Sequence, residues 1–309
     1  MLQNDLLEKA KAGDFEAVLA LDKLGFFPSS TESLEDFSQR LEHLRSAYAD
    51  LQNDLEVQGF IEIEGIKFKK EDLIPKKMFC DARKGNLELY GFDLDWVPGF
   101  FYSPGALFGG CAWGMPPHYL TLFILRPSFR ERDKWYIYGR QELMAHEMCH
   151  AVRFPLEADK YEEMFAYQTS TSAFRKLFGP MVRSPKETYI LIALISLLMG
   201  VQVWIYNQEY VERAYFLPLP VFILMSLMVG YFAFLMMRQH LQNKSYERLL
   251  QMFSEITDAP RSLAFRLNDK EIDCLLLEKT LTKTLFVDLL DQAGAGDLRK
   301  KILFSYLRD

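Results

Sequence analysis

The chain of 309 residues is half apolar and carries 36 Lys and Arg against 42 Asp and Glu, a formal net charge of -6. That length and apolar content exclude a disordered chain and a short disulfide scaffold, and the mildly acidic balance without a basic block argues against nucleic acid as a partner. The four scattered cysteines, Cys80, Cys111, Cys149 and Cys274, form no C-x-x-C pair, which predicts neither a disulfide framework nor a cysteine-bound metal and fits a reducing compartment.

Residues 1–23 place acidic side chains through what would have to be an apolar signal core, so no secretory signal is readable there. Over residues 30–58 the apolar positions Phe37, Leu41, Leu44, Tyr48, Leu51 and Leu55 alternate spacings of three and four, which predicts a long amphipathic helix. Ser29 and Glu32 offer it a capping box, and His43 belongs to its solvent face. "FIEIEGIKFKKEDL", residues 60–73, alternates around Gly65 as a small hairpin would, and "NLELYGFDLDWVPGFFY", residues 86–102, continues in extended style. "HYLTLFILRPSF", residues 118–129, is nearly continuous in apolar character and suits a strand buried on both faces.

The segment "QELMAHEMCHAV", residues 141–152, lacks Gly and Pro and reads as a helix that Pro155 ends. His146 and His150, four apart, then share one face. That placement suits two imidazoles on one zinc ion, with Glu147 beside the first as general base toward the water that the ion activates. A second helix is predicted over "EADKYEEMFAYQTSTSAFRKLF", residues 157–178, ending before Gly179 and Pro180.

Residues 188–206 and 214–237 are two uncharged runs, each long enough to cross a hydrocarbon layer of about 30 Å at about 1.5 Å per residue. Tyr189, Trp204, Tyr206, Tyr215 and Tyr231 sit toward their ends, and Pro218 and Pro220 fall in the first turns of the second run. The sequence therefore predicts a transmembrane hairpin in a lipid bilayer. Arg175, Lys176, Arg183 and Lys186 precede it and Arg238, Lys244 and Arg248 follow it, whereas the connecting loop sets only Arg213 against Glu209 and Glu212. The bias places both termini in the cytoplasm. Beyond the membrane, residues 245–260, 268–292 and 297–307 read as three helices, with Asn268 and Glu271 as a cap and "AGAGD" as a break.

"HEMCH" at 146–150 resembles the signature of the zincin metallopeptidases, over a stretch from 105 to 178. The resemblance implies an α+β catalytic domain in which an edge strand, here within "GGCAWGMPPHYLTLFIL", binds extended substrate. His118 in that stretch is assigned a structural or rim role. The metzincin branch would need Gly at 153 and His at 156, where this chain has Arg153 and Leu156. The similarity is to the gluzincin arrangement, which implies a glutamate on the next helix as third zinc ligand. Glu162 and Glu163 are adjacent, about 100° apart on a helix, so one of them is expected to face outward. The gluzincin pattern Glu-x-x-Ala falls on Glu163 and Ala166, with Tyr167 one turn on to hold the carboxylate, and Glu157, so soon after Pro155, is a distant third candidate.

The implied chemistry is hydrolysis of peptide bonds in a protein or peptide substrate, with no nucleic acid involved. Tyr161, Tyr167 and Arg153 are near enough to donate to the oxyanion, although packing roles are expected for each. The organisation read from the sequence is a helical region over 1–75, a zincin-like domain over 76–187, the transmembrane hairpin over 188–237 and a helical cytoplasmic region over 238–309. The alternative is a zincin-like membrane adaptor without peptidase activity. A transporter is disfavoured, because Gln202 is the one amide in two spans without charge.

Overall fold

A computed structural model describes residues 4–105, 108–116, 119–207 and 218–308, so that His118 and most of the loop between the apolar runs lie outside the described residues. The chain is α+β and mostly helical, with small sheets. It divides into two units, one built from the residues up to Thr171 together with those from Tyr246 onward, the other from Ser172–Ser245. The N-terminal helices, the sheets, the "HEMCH" helix and the C-terminal helices thus fold as one unit.

Helices α1 (Asn4–Lys11), α2 (Phe15–Lys23) and α3 (Leu34–Val57) open the first unit. Phe37, Leu41, Leu44, Leu51 and Leu55 of α3 are buried, as their spacing requires. The helix is capped by Ser33, whose Oγ accepts the Asp36 N–H at 3.1 Å, and not by Ser29. The Glu32 carboxylate accepts the Ser29 N–H at 3.0 Å, so the expected box closes one turn too early and half of it serves instead to hold Arg40. Strands β1 (Phe60–Ile63) and β2 (Ile66–Lys69) pair antiparallel across Glu64 and Gly65, both with positive φ, as a tight hairpin demands.

Residues 86–90 are helical, not extended, which corrects the reading of "NLELY". Helix α4 (Cys80–Tyr90) buries Ala82, Asn86 and Tyr90, a face of period four that the local alternation conceals, and Gly91 in the left-handed region ends it. Strands β3 (Gly99–Phe101), β4 (Gly110–Met115) and β5 (Leu120–Leu125) form a sheet of order β3-β5-β4, with β3 parallel and β4 antiparallel to β5. The apolar run becomes the central strand, and β4 is an edge. A short pair, β6 (Lys134–Trp135) and β7 (Tyr138–Gly139), leads directly into α5 (Arg140–Arg153).

The helix predicted over 157–178 is interrupted. Its first part is α6 (Glu162–Tyr167), and α7 (Ala173–Phe178) starts afresh in the second unit on a Ser172 cap. The intervening Thr-Ser-Thr-Ser run explains the break, since hydroxyl side chains compete for backbone groups. Helices α8 (Pro185–Tyr206) and α9 (Pro218–Ser254) are each long and apolar enough to cross a membrane, and side chains such as Ile192, Leu197, Leu227 and Val229 are exposed, not packed into a protein core. α9 continues through Ser254, so the helix expected to begin near residue 245 is its extension. The stretch 268–292 holds two helices, α11 (Asp269–Leu277) and α12 (Lys283–Gln292), because Thr282 caps a new start; α10 (Pro260–Phe265) and α13 (Asp297–Phe304) flank them. Asn268 and Glu271 form the expected capping box.

Buried charges tie the beginning of the first unit to its end. Asp22 of α2 pairs with Arg266 at 2.8 Å, both almost without exposure, and Tyr306 donates to the same carboxylate at 2.6 Å. Glu271 pairs with Arg299 at 2.5 Å. Removing one partner strands the other charge in the core. Asp22→Ala should therefore cost about 3–5 kcal/mol of stability, read as a lowered midpoint of chemical unfolding in detergent; an unchanged midpoint would show the pair to be energetically idle.

Candidate metal centre

The backbone of α5 contains no Gly or Pro from Arg140 to Arg153, and Pro155 converts its end into a single 3-10 turn closed by Glu157 at φ 50°. His146 and His150 accordingly lie one turn apart on one face. Their Nε2 atoms converge to 3.1 Å. Glu163, in the first turn of α6, places Oε2 3.5 Å from His146 Nε2 and Oε1 3.5 Å from His150 Nε2. An ion held tetrahedrally at about 2.1 Å needs donors about 3.4 Å apart, and the three separations bracket that value. His146, His150 and Glu163 are, among the described residues, the group that could hold a metal ion.

Glu162 does not face outward, which corrects the expectation drawn from helical geometry. The two glutamates do diverge, but Glu162 reaches the other side of the same imidazole: its Oε1 lies 3.0 Å from His150 Nδ1, and its Oε2 accepts from Arg153 Nε at 2.6 Å. A carboxylate on Nδ1 fixes the ring and leaves Nε2 to coordinate. Tyr167 sets its ring edge-on to His146 with centroids 4.6 Å apart. The remaining candidates lie away from the donor triangle. Tyr161 donates to Asp273 at 2.9 Å, Arg153 is buried, and exposed Glu157 accepts from Tyr119 at 3.0 Å.

Glu147 is buried and its Oε2 accepts the Ala112 N–H of β4 at 2.8 Å. Burial pushes its carboxyl up, His150 and the Ala112 N–H pull it down, and Glu163 adds repulsion; the result is about 7. For His150, burial opposes the charge, but the hydrogen bond to Glu162 and the nearby carboxylates outweigh it and raise the imidazole to about 9. Arg153 and His150 together overcome burial to hold Glu162 below the usual carboxylate range. β4 can lie this close to α5 because Gly114 has no side chain: a Cβ there would sit 2.5 Å from the Phe154 ring.

Several residues that position the site escaped the sequence reading. Asn86 donates to the Ala145 carbonyl at 3.1 Å and Tyr90 to the Phe165 carbonyl at 2.7 Å, so α4 braces both α5 and α6. Asp269 accepts the N–H groups of Asp159, Lys160 and Tyr161 at 2.8, 2.7 and 3.2 Å, pinning the turn that presents Glu162 and Glu163. Arg153 Nη1 donates to the carbonyls of Phe265 and Leu267. The period-four spacing of Asn86 and Tyr90 was a usable signal; nothing local marks Asp269.

No family model, curated protein or solved structure matches the chain. The site therefore stands on its own geometry: a three-donor cluster, an orienting carboxylate and a buried carboxylate beside them. Glu163→Ala should abolish metal binding, whereas Glu162→Gln should retain the ion with affinity about 10–100-fold weaker, measured by competition with a chelator. A metal-replete Glu163→Ala protein would remove Glu163 from the donor set.

Proposed function

We propose that this chain is a membrane-anchored zinc metallopeptidase whose catalytic unit lies in the cytoplasm. The observation that carries the reading is the donor triangle of His146, His150 and Glu163, with sides of 3.1, 3.5 and 3.5 Å, adjoining the buried carboxylate of Glu147. Two imidazoles and one carboxylate are a donor set typical of catalytic zinc, which leaves a fourth position open. Zinc, when bound, supplies a Lewis acid that lowers the pKa of water toward neutrality and polarises a carbonyl.

The chain's own groups support the rest of the chemistry. Glu147, with an affinity for protons near neutrality, is matched to accept the proton of the attacking water and return it to the departing amine. Glu162 and Arg153 hold His150 in one orientation throughout. The edge strand β4 runs beside Glu147 through Ala112, and an extended peptide adding there would present its backbone to the site.

Glu147→Gln should keep the metal and lower peptide cleavage by about 10²–10⁴-fold, since only the base is altered. Undiminished turnover in that variant removes Glu147 from its role. A wild-type protein that holds zinc yet cleaves nothing in a peptide library favours the adaptor reading.

Sidedness rests on the basic flanks of the two apolar helices, Arg175, Lys176, Arg183 and Lys186 before them and Arg238, Lys244 and Arg248 after. A cysteine at Asn207 should be labelled by an impermeant reagent from outside intact cells, and one at Ser245 only after permeabilisation. The reverse pattern would put the catalytic unit on the far side of the membrane.

A further inference from the structure

The short hairpin ahead of α5 exposes what a soluble surface normally hides. Trp135 pairs with Tyr138, which leaves Tyr136 and Ile137 as a two-residue turn, 84% and 72% exposed. Tyr136 has φ 48°, in the left-handed region where a bulky side chain is disfavoured and tight hairpins normally use Gly, Asn or Asp. The turn therefore sustains backbone strain and exposed apolar surface at the same two residues, a combination that points to a partner.

The neighbourhood of the tip specifies the kind of partner. Trp135 and Tyr138 stack behind it with centroids 6.1 Å apart, and the Arg126 guanidinium lies 4.4 Å from the Trp135 ring centre. Arg132 and Lys134 are exposed at its base, and no ion pair involves either among the described residues, whereas Arg130 and Arg140 are held by Asp72 and Asp133. Aromatic rings with an aliphatic side chain at the apex and free cations behind is the composition that favours the headgroup layer of an anionic bilayer. Two side chains are too small an area for a stable protein interface, which buries about 800 Å² on each side. A bilayer needs no such area, because a chain anchored by α8 and α9 meets it at high effective concentration.

We propose that the β6–β7 tip inserts Tyr136 and Ile137 into the interfacial layer of the bilayer that α8 and α9 cross, with Arg132 and Lys134 on anionic headgroups. The proposal rests on the membrane-anchored reading above and not on peptidase activity. Its consequence is for substrate choice. β7 passes into α5 at Gly139–Arg140 without a linker, so a seated tip fixes His146, Glu147 and His150 relative to the membrane surface. If the peptidase reading also holds, the substrates are then polypeptide segments close to the bilayer.

The test uses the full chain reconstituted in vesicles of zwitterionic lipid with a fraction of phosphatidylserine. In a Cys80→Ser background, an environment-sensitive fluorophore is attached through Ile137→Cys or, as comparator, Asp50→Cys on the exposed face of α3. The label at 137 should emit further to the blue and be quenched by nitroxide-bearing lipid at least about twofold more than the label at 50. Reversing Arg132 or Lys134 to Glu should lower the inserted fraction about fivefold or more per site, and metal content equal to wild type shows that the unit is intact. A label at 137 as open to aqueous iodide as that at 50 overturns the proposal. So does protection of that label by reduced casein and not by lipid, which would make the tip a polypeptide-binding element. If alkaline carbonate extracts the protein from the vesicles, the membrane-anchored reading itself fails; carbonate resistance with an exposed tip defeats the insertion alone.

Discussion

The guanidinium of Arg153 is the contact on which the site depends. Its side chain is wholly cut off from water at the end of the helix that bears His146, Glu147 and His150, where an unpaired charge would be prohibitive. Its Nε meets Glu162, its Nη1 meets the carbonyls of Phe265 and Leu267, and its Cζ lies 4.5 and 5.2 Å from the ring centres of Phe165 and Phe265. Nη2 finds no hydrogen-bond acceptor. One charge thus joins the "HEMCH" helix, the helix that follows it and the segment that returns after the apolar hairpin. Each of its partners is fixed by the need to satisfy it.

Through Glu162 that constraint reaches the donor atoms. Arg153 keeps Glu162 ionised despite its burial, Glu162 holds His150 by Nδ1, and His150 Nε2 is thereby turned toward His146 and Glu163. Three carboxylates crowd two imidazoles in a largely buried pocket, with Glu163 the most exposed of them at 24%. A cation relieves the repulsion between Glu147 and Glu163 that the protein alone leaves in place.

The same economy of charge organises the surrounding unit. Asp22 with Arg266, and Arg299 with the Pro28 carbonyl, connect its first thirty or so residues to its last, Glu271 holds Arg299 in place, and Asp269 reaches from the start of α11 to the turn before Glu162. The segment after the two apolar helices is therefore part of the scaffold of the three-donor group, not an appendage. The chain leaves this unit at Thr171, forms the two long apolar helices, and comes back at Tyr246 to complete it.

The elements legible in the sequence are those whose cause is local. The face shared by His146 and His150 follows from helical period in a segment without Gly or Pro; the buried centre of the sheet follows from the nearly continuous apolar run 120–125, broken only by Thr121; the two apolar helices follow from length and absence of charge. The Asn268 cap and the turn at Gly65 are set by side chains within three residues of where they act. Tertiary structure decided the rest, because the deciding partners are remote. Asn86 and Tyr90 are helical since they brace α5 and α6, against the alternation of their own neighbours. The orientation of Glu162 was misread because helical geometry fixes the angle between adjacent residues but not what waits in the second direction; there it meets His150 and Arg153, a pair positioned by carbonyls more than a hundred residues away.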